Sequence, residues 1–158
     1  MREVVWVPKL SLEELRLGAL AGVNRRIDGM RAGMRSLYRD GTEWTHEIES
    51  AATELAFAKH KGWYWSGISN FVHDVEGDGV RVQVRWTDRR DGSLIVRPRD
   101  SDLEGNPWYV LMVGGMGEYG IVGAMRASDA RRDEWVRNPN GYGKAWFVPQ
   151  SALRGPRA

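Results

Sequence analysis

The 158-residue chain contains no cysteine. That excludes disulfide bridges, thiolate zinc sites and a cysteine nucleophile, and it suits a reducing compartment. Lysine is nearly as scarce, confined to Lys9, Lys59, Lys61 and Lys144, so arginine supplies most of the 23 basic side chains. No apolar run approaches the roughly 20 residues that span a bilayer, and the opening MREVVWVPKLSLEEL lacks the apolar core of a signal peptide. The expectation is a cytoplasmic protein with no membrane partner. Internal repeats, low-complexity tracts and linkers are also missing. One domain over 1–158 follows, with a helical part at about 11–61 and a sheet part at about 63–150.

What is present is ordinary for a globular protein in bulk, with 42% hydrophobic and 28% charged residues. The net charge of +2 is small, but the sequence pI is about 9.1. Arginine suits phosphate because its planar fork donates two hydrogen bonds at once, although a GC-rich coding sequence yields the same excess.

Helices come first along the chain. Glu3–Val7 reads as a short strand stopped by Pro8. Ser11 and Glu14 form a capping box. The helix that follows carries Leu12, Leu15, Leu20, Val23, Ile27, Met30, Met34 and Leu37 at helical steps, the pattern of a buried stripe closed by Asp40-Gly41. A second helix is expected from Thr45 to Lys61, ended by Gly62, with Ile48, Ala52, Leu55 and Ala56 inward. Strands are expected at 80–87, 94–97, 108–113, 120–125 and 145–148. The polar turn 88–92 should join the first two as a hairpin. Ser128 should cap a helix reaching Val136, an acidic loop should fill 100–107, and the tail after Pro149 should be loose. An α/β (α+β) fold results.

The stretch FVHDVEGDGVRVQVRWT, Phe71–Thr87, holds the main chemical signal. Val80, Val82, Val84 and Trp86 alternate with Arg81, Gln83, Arg85 and Thr87, the period of a half-buried strand. Gln83 and Arg85 therefore lie side by side on the polar face, and Asp74 with His73 precedes the Gly77–Gly79 turn. Glu47 and Glu49 suit the dipole at the start of the second helix, whereas Glu54 lies deeper among alanines, and the residue four positions on is Ala58. That leaves Glu54 a candidate for a site. His46 and His60 read as structural groups at the two ends of that helix, and His73 as a surface histidine. Gly115-Met-Gly-Glu-Tyr-Gly120 matches G-x-G-x-x-G, but the strand-like Ile121-Val-Gly that follows makes it a hairpin loop and not a nucleotide site. Arg25, Arg26, Arg81, Arg89, Arg90 and Arg97 are candidates for a phosphate-binding surface.

On Glu54 in Ala51–Lys59, Asp74 in His-Asp-Val and Gln83-Val-Arg85, the chain resembles small phage-type members of the restriction-endonuclease-like, PD-(D/E)XK superfamily. The runs Tyr109–Val113, Ile121–Met125 and Trp146–Leu153 extend the resemblance over about residues 45–153. It implies a central mixed β-sheet flanked by helices and a Mg²⁺ (or Mn²⁺) nuclease acting on DNA. Glu54 and Asp74 would be metal ligands. Gln83 would stand in place of an acidic ligand and Arg85 in place of lysine, and together they would form the catalytic set. Gln offers a neutral oxygen to a hard cation, and Arg stabilises phosphate charge without acting as a base. A non-catalytic nucleic-acid- or protein-binding module that keeps the fold, or a structural phage protein, is the alternative.

Overall fold

The computed structural model describes residues 2–33, 41–68, 73–98, 105–139, 141 and 143–156. Met34, Arg35, Leu37, Arg39, Asp40, Phe71, Arg99 and the loop 100–104 lie outside them.

The longest apolar run of the sequence lies at the centre. Strand β6 (Trp108–Gly115) and strand β7 (Glu118–Arg126) form an antiparallel hairpin, and β6 also pairs in parallel with β4 (Val80–Thr87). Beyond β4 lie β3 (Val75–Gly77) and β2 (Tyr64–Trp65), and β1 (Val5–Trp6) closes the far edge on β7. The order is β1-β7-β6-β4-β3-β2. Both faces of β6 are covered, which explains a run without alternation. Val110 and Met112 pack with Ala52, Ala56 and Phe57 on one side. Tyr109, Leu111 and Val113 pack with Leu94, Val96 and Val148 on the other. The fold is mixed α and β, with a central mixed sheet flanked by helices.

Helix α1 (Leu12–Arg31) opens on the Ser11–Glu14 capping box, with both reciprocal hydrogen bonds present. Helix α2 (Glu43–Lys61) begins two residues before the expected Thr45 and ends at Gly62, whose φ of 68° is a left-handed cap. The two helices do not meet through the leucine stripe. Gly18 and Gly22 are the buried residues of α1, and a Cβ at Gly22 would lie 2.5 Å from the Glu47 carbonyl oxygen. Backbones this close leave no room for branched side chains, so Leu12, Leu20, Ile27 and Met30 face outward. On α2 the inward set is Ala51, Ala52, Ala56, Phe57 and Ala58, while Ile48 and Leu55 are half-buried.

Three further expectations change. Strand β5 (Leu94–Val96) does not form a hairpin with β4, because β6 and β3 take the two edges of β4. It pairs with β9 (Ala145–Val148), which also pairs with β8 (Val136–Arg137), giving a second sheet ordered β5-β9-β8. The helix after Arg126 is a single turn, α3 (Ala127–Ala130), followed by a 3₁₀ turn at Asp133–Trp135. The tail is fastened: Leu153 is buried, and Arg154 exchanges backbone hydrogen bonds with Ala124 at 2.8 and 2.9 Å. The strands at 108–115 and 118–126 are as expected, each longer than its apolar run.

Candidate functional site

Asp74 sits at a fork in the sheet. Its amide still donates to the Val82 carbonyl at 3.1 Å, as in a ladder. The next donor along β4, the Val84 amide, is taken by the Asp74 carboxylate at 2.7 Å. A side chain has thus replaced a backbone acceptor where β3 begins, which fixes the carboxylate against β4. Burial raises its pKa to about 7, and the negative charge of Glu54 adds to the rise; Arg85, the Val84 amide and Arg25 act against it.

Arg85 approaches the same carboxylate oxygen, with Nη1 3.7 Å from Oδ2. This Nη1 also donates to Gln83 Oε1 and to the Val84 carbonyl, each at 3.4 Å, and its guanidinium lies 5.2 Å from the Tyr109 ring centre. The parallel register sets Gln83 beside Tyr109 and Arg85 beside Leu111. The pair therefore lies on the sheet face away from α2, as the alternation of β4 requires.

Glu54 approaches from the α2 side and is buried. Arg25 of α1 grips it bidentately, at 2.8 Å to Oε1 and 2.6 Å to Oε2, and the Trp65 indole N–H donates to Oε2 at 3.0 Å. Arg25 Nε also donates to the Gly67 carbonyl at 3.3 Å. Burial holds the neighbouring Glu47 carboxyl above its ordinary value; Arg25 and Arg26 oppose this rise, and Glu54 adds to it. The four residues singled out in the sequence thus form a chain of neighbours: Glu54 acts on Asp74 by charge, Asp74 meets Arg85, and Arg85 meets Gln83.

Several assignments move. Arg25 belongs to this cluster and not to an open phosphate surface, since only 11% of its side chain is exposed. Arg89 is held by Asp91 at 3.2 Å and Arg90 lies over the Trp6 ring at 5.9 Å. Arg81 is exposed near the start of β4, whereas Arg89 and Arg90 follow its end, roughly 25 Å away at about 3.3 Å per residue. Arg97 acts electrostatically on His46, and Arg26 is half-buried on α1. The six arginines do not form one patch.

His73 is buried rather than on the surface. His46 packs at a tilt of 57° against Trp86 with ring centres 5.6 Å apart; burial, then Arg97 and Arg85, bring its pKa down to about 4. It is therefore neutral near pH 7 and brings no charge to the helix end. The sequence reading missed Arg25, Trp65, Tyr109 and His46 as neighbours of the site. Only Arg25 had a signal: an arginine on α1 that a buried, unexplained Glu54 required.

The hairpin reading of Gly115–Gly120 holds. The turn uses positive φ at Gly114, Met116 and Gly117, and the buried Glu49 carboxylate clamps it by accepting from the Met116 amide at 3.1 Å and the Tyr119 hydroxyl at 2.5 Å.

Among the described residues no group of three or more His, Cys, Asp or Glu is placed to hold a metal ion. Of the oxygens the sequence offers to a hard cation, Glu54 lies on the α2 side of the sheet and Gln83 on the face away from α2, with the Asp74 carboxylate held against β4. Carboxylate and amide oxygens are the donors a hard cation takes, and the Asp74 pKa is raised first by burial and then by the charge of Glu54, with Arg85 and Arg25 opposing the rise. Glu54 would have to release one oxygen from Arg25. Among the described residues no helix is long and apolar enough to cross a membrane. Comparison with protein-family models, curated proteins and solved structures found no match.

Proposed function

We propose that the chain is a metal-dependent DNA nuclease of restriction-endonuclease-like, PD-(D/E)XK type. The observation that carries this reading is the Asp74 carboxylate, fixed at the fork between β3 and β4 with one oxygen 3.7 Å from the Arg85 guanidinium. Phosphodiester hydrolysis needs an activated water and a donor that stabilises the charge developing on the phosphate, and a carboxylate beside a guanidinium offers a start on both. Asp74, with Glu54 once Arg25 releases one of its oxygens and Gln83 reaching round from the other face, would hold Mg²⁺ or Mn²⁺, which would supply an activated water and charge neutralisation. Arg85 donates to the phosphate oxygens and takes no proton.

One observation favours a second reading, a nucleic-acid-binding module without catalysis: Arg25 occupies both oxygens of Glu54. The test is cleavage of single- and double-stranded DNA with Mg²⁺ and with Mn²⁺, by the wild type and by Asp74→Ala. The nuclease reading expects cleavage that Asp74→Ala abolishes. Metal-independent, salt-sensitive binding that survives Asp74→Ala selects the module.

A further inference from the structure

Helix α1 turns an apolar seam to solvent. Leu17 is 54% exposed, Leu20 58% and Ile27 42%, while Gly18 and Gly22, on the opposite side, hold the helix to α2. Glu13, Asn24 and Arg31 are exposed with them. These six residues fall on two rows of seven-residue spacing. One row is Glu13, Leu20 and Ile27; the other is Leu17, Asn24 and Arg31. Rows offset by four residues with that spacing are the a and d positions of a coiled-coil seam. At about 3.6 residues per turn, Glu13 and Arg31 project in the same direction from opposite ends of the helix.

We propose that this seam is where a second copy of the chain docks, with the two α1 helices antiparallel. The charges select both partner and direction. A two-fold axis beside Gly22 pairs each residue of one row with one of the other. Glu13 then meets Arg31 of the second copy, Leu17 meets Ile27, and Leu20 meets Asn24. Every pair joins an a position to a d position, the matching that antiparallel seams use, and the same surface serves both copies, as an isologous contact demands. A parallel arrangement would set Glu13 against Glu13 and Arg31 against Arg31, which is repulsive. A helix of 20 residues offers a seam about 30 Å long. The dimer does not depend on the nuclease reading, because the seam faces away from the α2 contact.

The full-length chain tests this by sedimentation velocity over a concentration series. The wild type is expected to dimerise. Leu20→Lys is expected to give monomer with an unchanged far-ultraviolet spectrum, since Leu20 is exposed. Glu13→Arg should weaken the dimer, and adding Arg31→Glu should restore it. Because the chain has no cysteine, direction can be read from disulfide formation. A mixture of Glu13→Cys and Arg31→Cys should cross-link between the two variants, and neither should cross-link to itself. A monomer at every concentration overturns the proposal and leaves the face to a different partner. So does a dimer that survives Leu20→Lys, or one in which Glu13→Cys links to itself.

Discussion

Arg25 and Glu54 form a buried, two-pronged ion pair between the helices, with only 11% and 5% of their side chains exposed. It joins α1 to the candidate site and governs what Glu54 can bind. Removing one partner strands the other charge away from water. Arg25→Ala is expected to cost about 3–5 kcal/mol in urea unfolding. Arg25→Met combined with Glu54→Met should cost less than the two single changes together. A double variant that costs their sum would show that the pair is not coupled.

Asp74 gives the site a pH signature with a definite sign. Its folded pKa of about 7 exceeds the ordinary 3.8, so the folded state binds its proton more tightly than the unfolded state. The stabilising effect is complete below about pH 4 and is lost as the pH rises through 7. Asp74→Asn should remove this slope, so the variant gains on the wild type between pH 4 and pH 8 in thermal unfolding. Mg²⁺ should flatten the wild-type slope by favouring the carboxylate. Equal slopes for the two proteins would place the carboxyl in water.

Gln83→Glu adds a third carboxylate beside Arg85. Mg²⁺ affinity by calorimetry should rise, and in the nuclease reading so should the cleavage rate. Affinity that stays the same would remove residue 83 from the ligand set.

Two glycines of α1 should respond in opposite directions. A Cβ at Gly22 meets α2 backbone at 2.5 Å, so Gly22→Ala should lose about 1–3 kcal/mol by forcing the helices apart. Gly29 has nothing within 4 Å of its added carbon, and Gly29→Ala should gain about 0.5–1 kcal/mol through helix propensity. The urea midpoints of the two variants check both.

In the large sheet β1, β4, β6 and β7 were legible because their signals are local, such as the alternation in β4 and the continuous apolar character of β6 and β7, whereas the two- and three-residue strands β2 and β3 are too short to carry a period. The pairing of β5 was not. Its partner, β9, lies some fifty residues further on, and turn chemistry at 88–92 says nothing about a distant edge. The leucines of α1 showed a helix correctly but misled about its inner side, because glycine carries no hydropathy signal and close backbone approach is invisible in one dimension. At the site, Asp74, Gln83 and Arg85 could be placed from one strand and its turn. The grip of Arg25 on Glu54 joins two helices, and no spacing rule reports it.

The union of β5 with β9 sets an order on synthesis. Leu94 and Val96, fully covered in the finished protein, have no ladder partner until Ala145–Val148 have left the ribosome. A nascent chain stalled before Ala145 should therefore be cut readily around Leu94–Val96 and bind holdase chaperones, whereas one released after Leu153 should resist both. The second sheet cannot close before β9 emerges.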